Sequence, residues 1–104
     1  MTDGQKTLTN IQVCCLDKYE AQKMSSMIFQ NKDRQVFIKD ILSVYENEVV
    51  VSLLDRSAHC IMLRDVTQTE KFADFIQQVV ECNQKITDVK IVGDTVLLTK
   101  ENSR

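Results

Sequence analysis

Proline and tryptophan are absent from this 104-residue chain, and glycine occurs only as Gly4 and Gly93. Loops that cradle phosphates need glycine, because only a residue without a Cβ combines close backbone approach with freely positive φ. P-loop and dinucleotide fingerprints are therefore excluded by composition. Histidine occurs once, as His59, so any histidine-based nucleophile or acid–base pair has to be built around that ring. Ser25, Ser26, Ser43, Ser52, Ser57 and Ser103 all lack the flanking glycines of a nucleophile elbow. No apolar run approaches the roughly 20 residues of a membrane span, and the opening Met1–Lys6 is polar, unlike a secretory signal. Positive charge is not in excess either. Thirteen lysines and arginines face 15 acidic residues, whereas a phosphate-backbone binder draws most of its affinity from surplus cations and the counterions they release.

What is there describes one folded domain spanning residues 1–104. The apolar fraction of 43% is far above the level at which a chain fails to collapse. At this length there is room for one core but not for a deep enclosed substrate cavity as well. Cys14, Cys15, Cys60 and Cys82 lack the spacing of a disulfide framework or of a zinc knuckle, and the vicinal pair cannot readily bridge itself. Free thiols packed as small hydrophobes are expected, in a cytoplasmic or nuclear protein without cofactor, metal or membrane span.

Residues 1–10 and 101–104 read as polar, flexible ends. Ile11–Leu16 is short and β-branched and reads as a strand. Lys18–Gln30 reads as a helix, since Leu16, Tyr19, Met24, Met27 and Ile28 approximate a helical stripe among good helix formers. Val36–Tyr45, Glu48–Leu54 and Ala58–Leu63 are β-branched runs split by short polar breaks, as an antiparallel meander requires. The middle run is apolar on both faces, which predicts cover on both sides. Asp65–Asn83 is the clearest helix: Phe72, Phe75, Ile76 and Val79 make one stripe, and Thr67 with Glu70 has capping-box spacing. Val89–Val92 and Thr95–Leu98 flank Gly93-Asp94, a loop suited to a type II′ turn. No internal repeat is visible.

The chemical candidates weigh lightly. His59 and Cys60 are neighbours, but adjacent side chains of a strand point to opposite faces. The carboxylate pairs Glu46/Glu48 and Asp17/Glu20 flank turns, with nothing nearby in sequence to desolvate them. Phe37, Lys39 and Tyr45 share strand parity and would form a base-stacking face only if that face were not core. No catalytic residue is assigned, and an enzyme is not expected.

Surfaces for partners are the stronger theme. Val49-Val50-Val51 begins an uncharged, strongly β-forming run that must be central in its sheet or paired with another chain. Met24, Met27 and Phe29 form a second apolar cluster with adaptable methionines. These six residues are the expected protein-binding set, with another protein or a second copy of the chain as partner. The alternative is weak binding of nucleic acid or phosphoinositide through the basic 18–39 segment, carried by Lys23, Lys32, Arg34 and Lys39 together with Lys18, against only Glu20 and Asp33.

Taken together, the expected fold is α+β: a small antiparallel sheet of about five to six strands, packed by the Asp65–Asn83 helix and a second, N-terminal helix. Val36–Ile41, Val49–Leu54, Ile61–Leu63 and the helix carrying Phe72, Phe75 and Ile76 resemble, over less than half the chain, the second half of a pleckstrin-homology-like or GRAM-like domain. That resemblance implies a PH-like barrel as an alternative fold, and a different count of the middle strands gives a ferredoxin-like sandwich.

Overall fold

A computed structural model describes residues 7–28, 38–82 and 84–102. The elements run β1 (Thr7–Cys14), α1 (Lys18–Ile28), β2 (Ile38–Tyr45), β3 (Glu48–Leu53), β4 (Ala58–Met62), α2 (Val66–Glu81), β5 (Lys85–Val92) and β6 (Thr95–Asn102). The α+β expectation holds, as two antiparallel three-stranded sheets with strand orders β1-β6-β5 and β2-β3-β4. Of the stretches read as polar ends, the described residues belong to strands. Thr7 to Asn10 and Glu101 to Asn102 are paired strand, because each end supplies the other's backbone partners, beginning with Thr7 opposite Asn102.

The two sheets meet at one point. Cys15 and Leu63, just past β1 and β4, form an antiparallel bridge. Leu16 N–H donates to the Met62 carbonyl at 3.0 Å, and Arg64 N–H donates to the Cys14 carbonyl at 3.0 Å. Helix α1 packs against β5, β6 and β4, whereas α2 packs against β2, β3 and β1, so each helix spans both sheets. One continuous core results. It runs from Val13 and Cys15 through Met24 and Ile28 to Val49, Ile61, Phe72, Ile76 and Leu98.

Local chemistry explains the element ends, with one revision. Asp65, not Thr67, caps α2: its backbone is extended and its Oδ1 accepts the Gln68 N–H at 3.1 Å. An aspartate two residues upstream satisfies the first free amide, so Thr67 lies exposed in the first turn. Asp17 does the same for α1, accepting the Glu20 N–H at 2.9 Å. The β5–β6 loop has φ of 66° at Gly93 and no positive φ at Asp94, the sign pattern of the II′ turn. At the corresponding position of the β2–β3 loop, Glu46 takes φ of 53°.

The Val49–Leu53 run is the central strand of its sheet, but it is covered on one side only. Val49 and Val51 face the core and are fully buried, while Val50 and Ser52 on the opposite face are half-buried. Apolar character at Val50 was not a sign of a second covering layer.

Candidate functional site

The described members of the expected protein-binding set do not form an exposed surface. Met24, Met27, Val49 and Val51 are core residues with at most 5% exposure, and Val50 is half-buried. Phe29 lies outside the described residues. The methionine stripe was an ordinary core-facing helix stripe, burying its apolar area against the sheets. Of the basic segment, Lys23 is exposed and pairs with Glu20 at 3.2 Å, and Lys39 is exposed. Lys32 and Arg34 lie outside the described residues. Lys39 and Tyr45, of the face proposed with Phe37, are both exposed, and register shifts between Ile38 and Asp40 and between Ile41 and Ser43 interrupt the regular alternation along β2. Phe37 is outside the described residues.

Two polar constellations approach chemistry and stop short of it. In the β3–β4 loop, Ser57 Oγ lies 2.9 Å from His59 Nε2 and also bonds Asp55 Oδ1. The Asp55 carboxyl accepts both the hydroxyl and the N–H of Ser57, which hold it below the usual carboxylate range. The Ser57 hydroxyl donates to Asp55 Oδ1, so its proton is directed away from the imidazole. In a nucleophilic triad the carboxylate orients the imidazole; here it sits on the serine. The arrangement closes a hairpin, together with Leu53 N–H to the Ser57 carbonyl at 2.9 Å.

The thiols are similarly quiet. Burial pushes Cys15 up to about 12, with Glu20 and Asp94 adding to the effect. Cys60 is raised to about 11 by burial and by donating to Glu48 Oε2 at 3.0 Å. The thiolate is the nucleophile and the metal ligand, so both groups are held in their unreactive form near neutral pH. His59 and Cys60 lie on opposite faces, opposite Val51 and Val50 respectively. Among the described residues, no group of three or more histidine, cysteine or acidic side chains is placed to hold a metal ion. No helix among them is long and apolar enough to cross a membrane.

The acidic residues expected as solubilising charges include two structural ones. Glu20 Oε1 accepts the Met62 N–H at 2.9 Å across the sheet junction, and Glu48 receives the Cys60 thiol. A hollow of about 340 Å³ on the outer face of the β1-β6-β5 sheet is lined by Asn10, Gln12, Asp88, Lys90, Leu97 and Thr99. Its only charges are Asp88 and Lys90, 3.9 Å apart and facing each other.

What stands out instead is strand β2. It is an edge strand, and six of its eight residues are exposed. Leu42, Val44 and Tyr45 are 56%, 48% and 66% exposed. Leu42 is the residue skipped where the register slips between Ile41 and Ser43. Among the described residues the free edge begins beyond Ile41, whose N–H is taken by Asp40 Oδ1 at 2.7 Å. Sequence reading weighed Tyr45 only as a base-stacking residue and missed Leu42 and Val44, because they belong to a run that also contains core positions. The available signal was Lys39-Asp40 inside an apolar strand, a charge placement typical of edges.

No protein-family model matches the chain, and neither a curated protein nor a solved structure does.

Proposed function

We propose that this chain is a non-catalytic protein-interaction module that captures an extended segment of a partner protein along the free edge of β2, from Leu42 to Tyr45. The reading rests on one observation: three apolar residues within four positions, Leu42, Val44 and Tyr45, stand exposed on a strand edge that no other described strand pairs. An edge strand offers a row of backbone donors and acceptors, and an added strand satisfies them while side chains supply selectivity. Asp40 and the two register shifts restrict pairing to the last few residues, which guards against indiscriminate edge-to-edge aggregation. The suppressed thiols and the serine committed to Asp55 favour recognition over chemistry.

A photo-crosslinking residue at Leu42, used in cell extract, should capture a discrete partner that the same residue at Val66 on α2 does not. Val44→Glu should abolish that capture while leaving the circular dichroism spectrum intact. Equal capture from both positions, or a Val44→Glu protein that captures as well as the parent, would discard the reading.

A further inference from the structure

We infer that residues 7–53 and 58–102 are two copies of one β-α-β-β unit, each shaped to dock on a unit of its own kind, so that the chain is a two-fold dimer made covalent. The order β1-α1-β2-β3 is repeated as β4-α2-β5-β6. Each unit lends its first strand to the other's side of the junction: β1 pairs with β6, and β4 pairs with β3.

The backbone and side-chain bonds at the junction come in two-fold-related pairs. Leu16 N–H to Met62 carbonyl matches Arg64 N–H to Cys14 carbonyl. Cys15 N–H donates to the Asp94 carbonyl in the second hairpin loop at 2.8 Å, and Leu63 N–H donates to the Asn47 carbonyl in the first at 2.7 Å. Asp17 and Asp65 cap the two helices. Three residues on, Glu20 Oε1 accepts the Met62 N–H at 2.9 Å, and Gln68 Oε1 accepts the Cys14 N–H at 2.8 Å. These last two bonds close the free edges of β4 and β1, and nothing in an unrelated pair of segments would require both. Side chains crossing a junction this way recognise a matching unit.

The core follows the same correspondence. Ala21, Met24, Met27 and Ile28 in α1 stand where Thr69, Phe72, Phe75 and Ile76 stand in α2, all buried. In the hairpins, Ile38 and Val49 answer to Ile86 and Val96, and Asp40 answers to Asp88 beyond a register shift present in both. The spacing is 48 residues from Cys15 to Leu63 and from Ile38 to Ile86, but 47 from Val49 to Val96. A second register shift, between Ile41 and Ser43, accounts for the change, and β5 has no counterpart to it. Leu42 is therefore the single residue by which the units differ in length, which is why periodicity alone hides the repeat.

Deletion of Leu42 should restore the register that β5 already has. Deleting a residue from an unbulged strand instead turns one flank inside out. We expect the full chain lacking Leu42 to unfold cooperatively at a denaturant midpoint equal to or above that of the parent. Its Ser43–Val50 and Ile41–Val51 pairings should persist in cross-strand nuclear Overhauser contacts. The full chain lacking Val50 should lose its cooperative transition. A Leu42 deletion as damaging as the Val50 deletion overturns the inference. So does tolerance of both deletions, since register would then carry no information. The readout is independent of whether β2 binds a partner, so failure of the edge-binding proposal and failure of this one are distinguishable.

Discussion

The four core positions of α1 hold Ala21, Met24, Met27 and Ile28, whereas the matching positions of α2 hold Thr69, Phe72, Phe75 and Ile76. The second helix carries larger, stiffer side chains and its own back-bond, Thr69 Oγ1 to the Asp65 carbonyl at 3.1 Å. Similar asymmetries recur around the two-fold. Cys15 faces Leu63 across the junction, and buried Lys100 on β6 stands where β3 has Leu53. Lys100 is tolerated because its ammonium bonds the amide oxygens of Gln84 and Asn102 and lies 5.7 Å from the Phe75 ring centroid. Backbone geometry is shared while side-chain content drifts. What the units keep in common is the set of groups that accept backbone amides left over by helix starts and strand edges: Asp17 and Asp65, Glu20 and Gln68. An apolar exchange that keeps the volume costs less than about 1.5 kcal/mol, whereas a buried amide left without its acceptor costs about 1–3 kcal/mol.

Truncating the matched core residues should widen this contrast most. Phe72→Ala should destabilise the protein by about 3–5 kcal/mol, and Met24→Ala by about 2–5 kcal/mol with the smaller loss expected within that pair. Chemical denaturation of both variants checks it, and a greater loss at Met24 would mean that the first unit dominates the core.

The thiols should make stability alkali-sensitive. Unfolded cysteines release their protons near the ordinary value of 9.0, whereas folded Cys60 and Cys15 hold theirs to about 11 and about 12. Between those limits the unfolded state binds fewer protons, so stability falls as pH rises above 9, by up to about 1.4 kcal/mol per pH unit for buried Cys15 and by less for the partly exposed, solvent-screened Cys60. Below pH 9 the contribution is fully present. Denaturant midpoints taken from pH 8 to 11 should decline in the parent and decline less in Cys15→Ala, whose two-fold mate Leu63 has nothing to titrate. Thiol labelling of the native protein should reach exposed Cys82 first and buried Cys15 only on unfolding.

Glu20 and Gln68 offer a finer comparison, because one strand amide meets a carboxylate and the other an amide oxygen. Glu20→Ala should cost about 1.5–3 kcal/mol and Gln68→Ala about 0.5–1.5 kcal/mol, the usual difference between charged and neutral acceptors. Equal losses would show that the two bonds are energetically alike.

The smallest effect lies in the turns. Glu46 has φ of 53° where the second unit uses Gly93. Glu46→Gly should stabilise by about 0.4–1 kcal/mol through relief of that conformation, set against the added freedom of the unfolded chain. Gly93→Ala should destabilise by about 1 kcal/mol through backbone strain alone, since a Cβ there meets nothing within 4 Å. Thermal melts of the pair measure both.

The strongly periodic α2 and the Gly93-Asp94 hairpin were legible in sequence, because their residues carry the pattern within a single turn or loop. Burial was less so. Met24, Met27, Val49 and Val51 looked like surface candidates since an apolar stripe reads the same whether it faces its own core or a partner. Leu42 and Val44 went unseen because a register slip leaves no mark in composition. Glu20 passed for a surface charge, as its acceptor role depends on Met62, 42 residues away.

The amino-acid sequence by itself determined where helices and strands form, since periodicity, caps and turn residues act over a few neighbouring positions. It also left no glycine loop and only one histidine for chemistry. Only the tertiary structure decided that β1 closes on β6, that two units share one core, and that β2 is, among the described residues, an edge strand with exposed apolar residues. Those outcomes depend on pairings between residues as distant as Thr7 and Asn102, which no local pattern encodes.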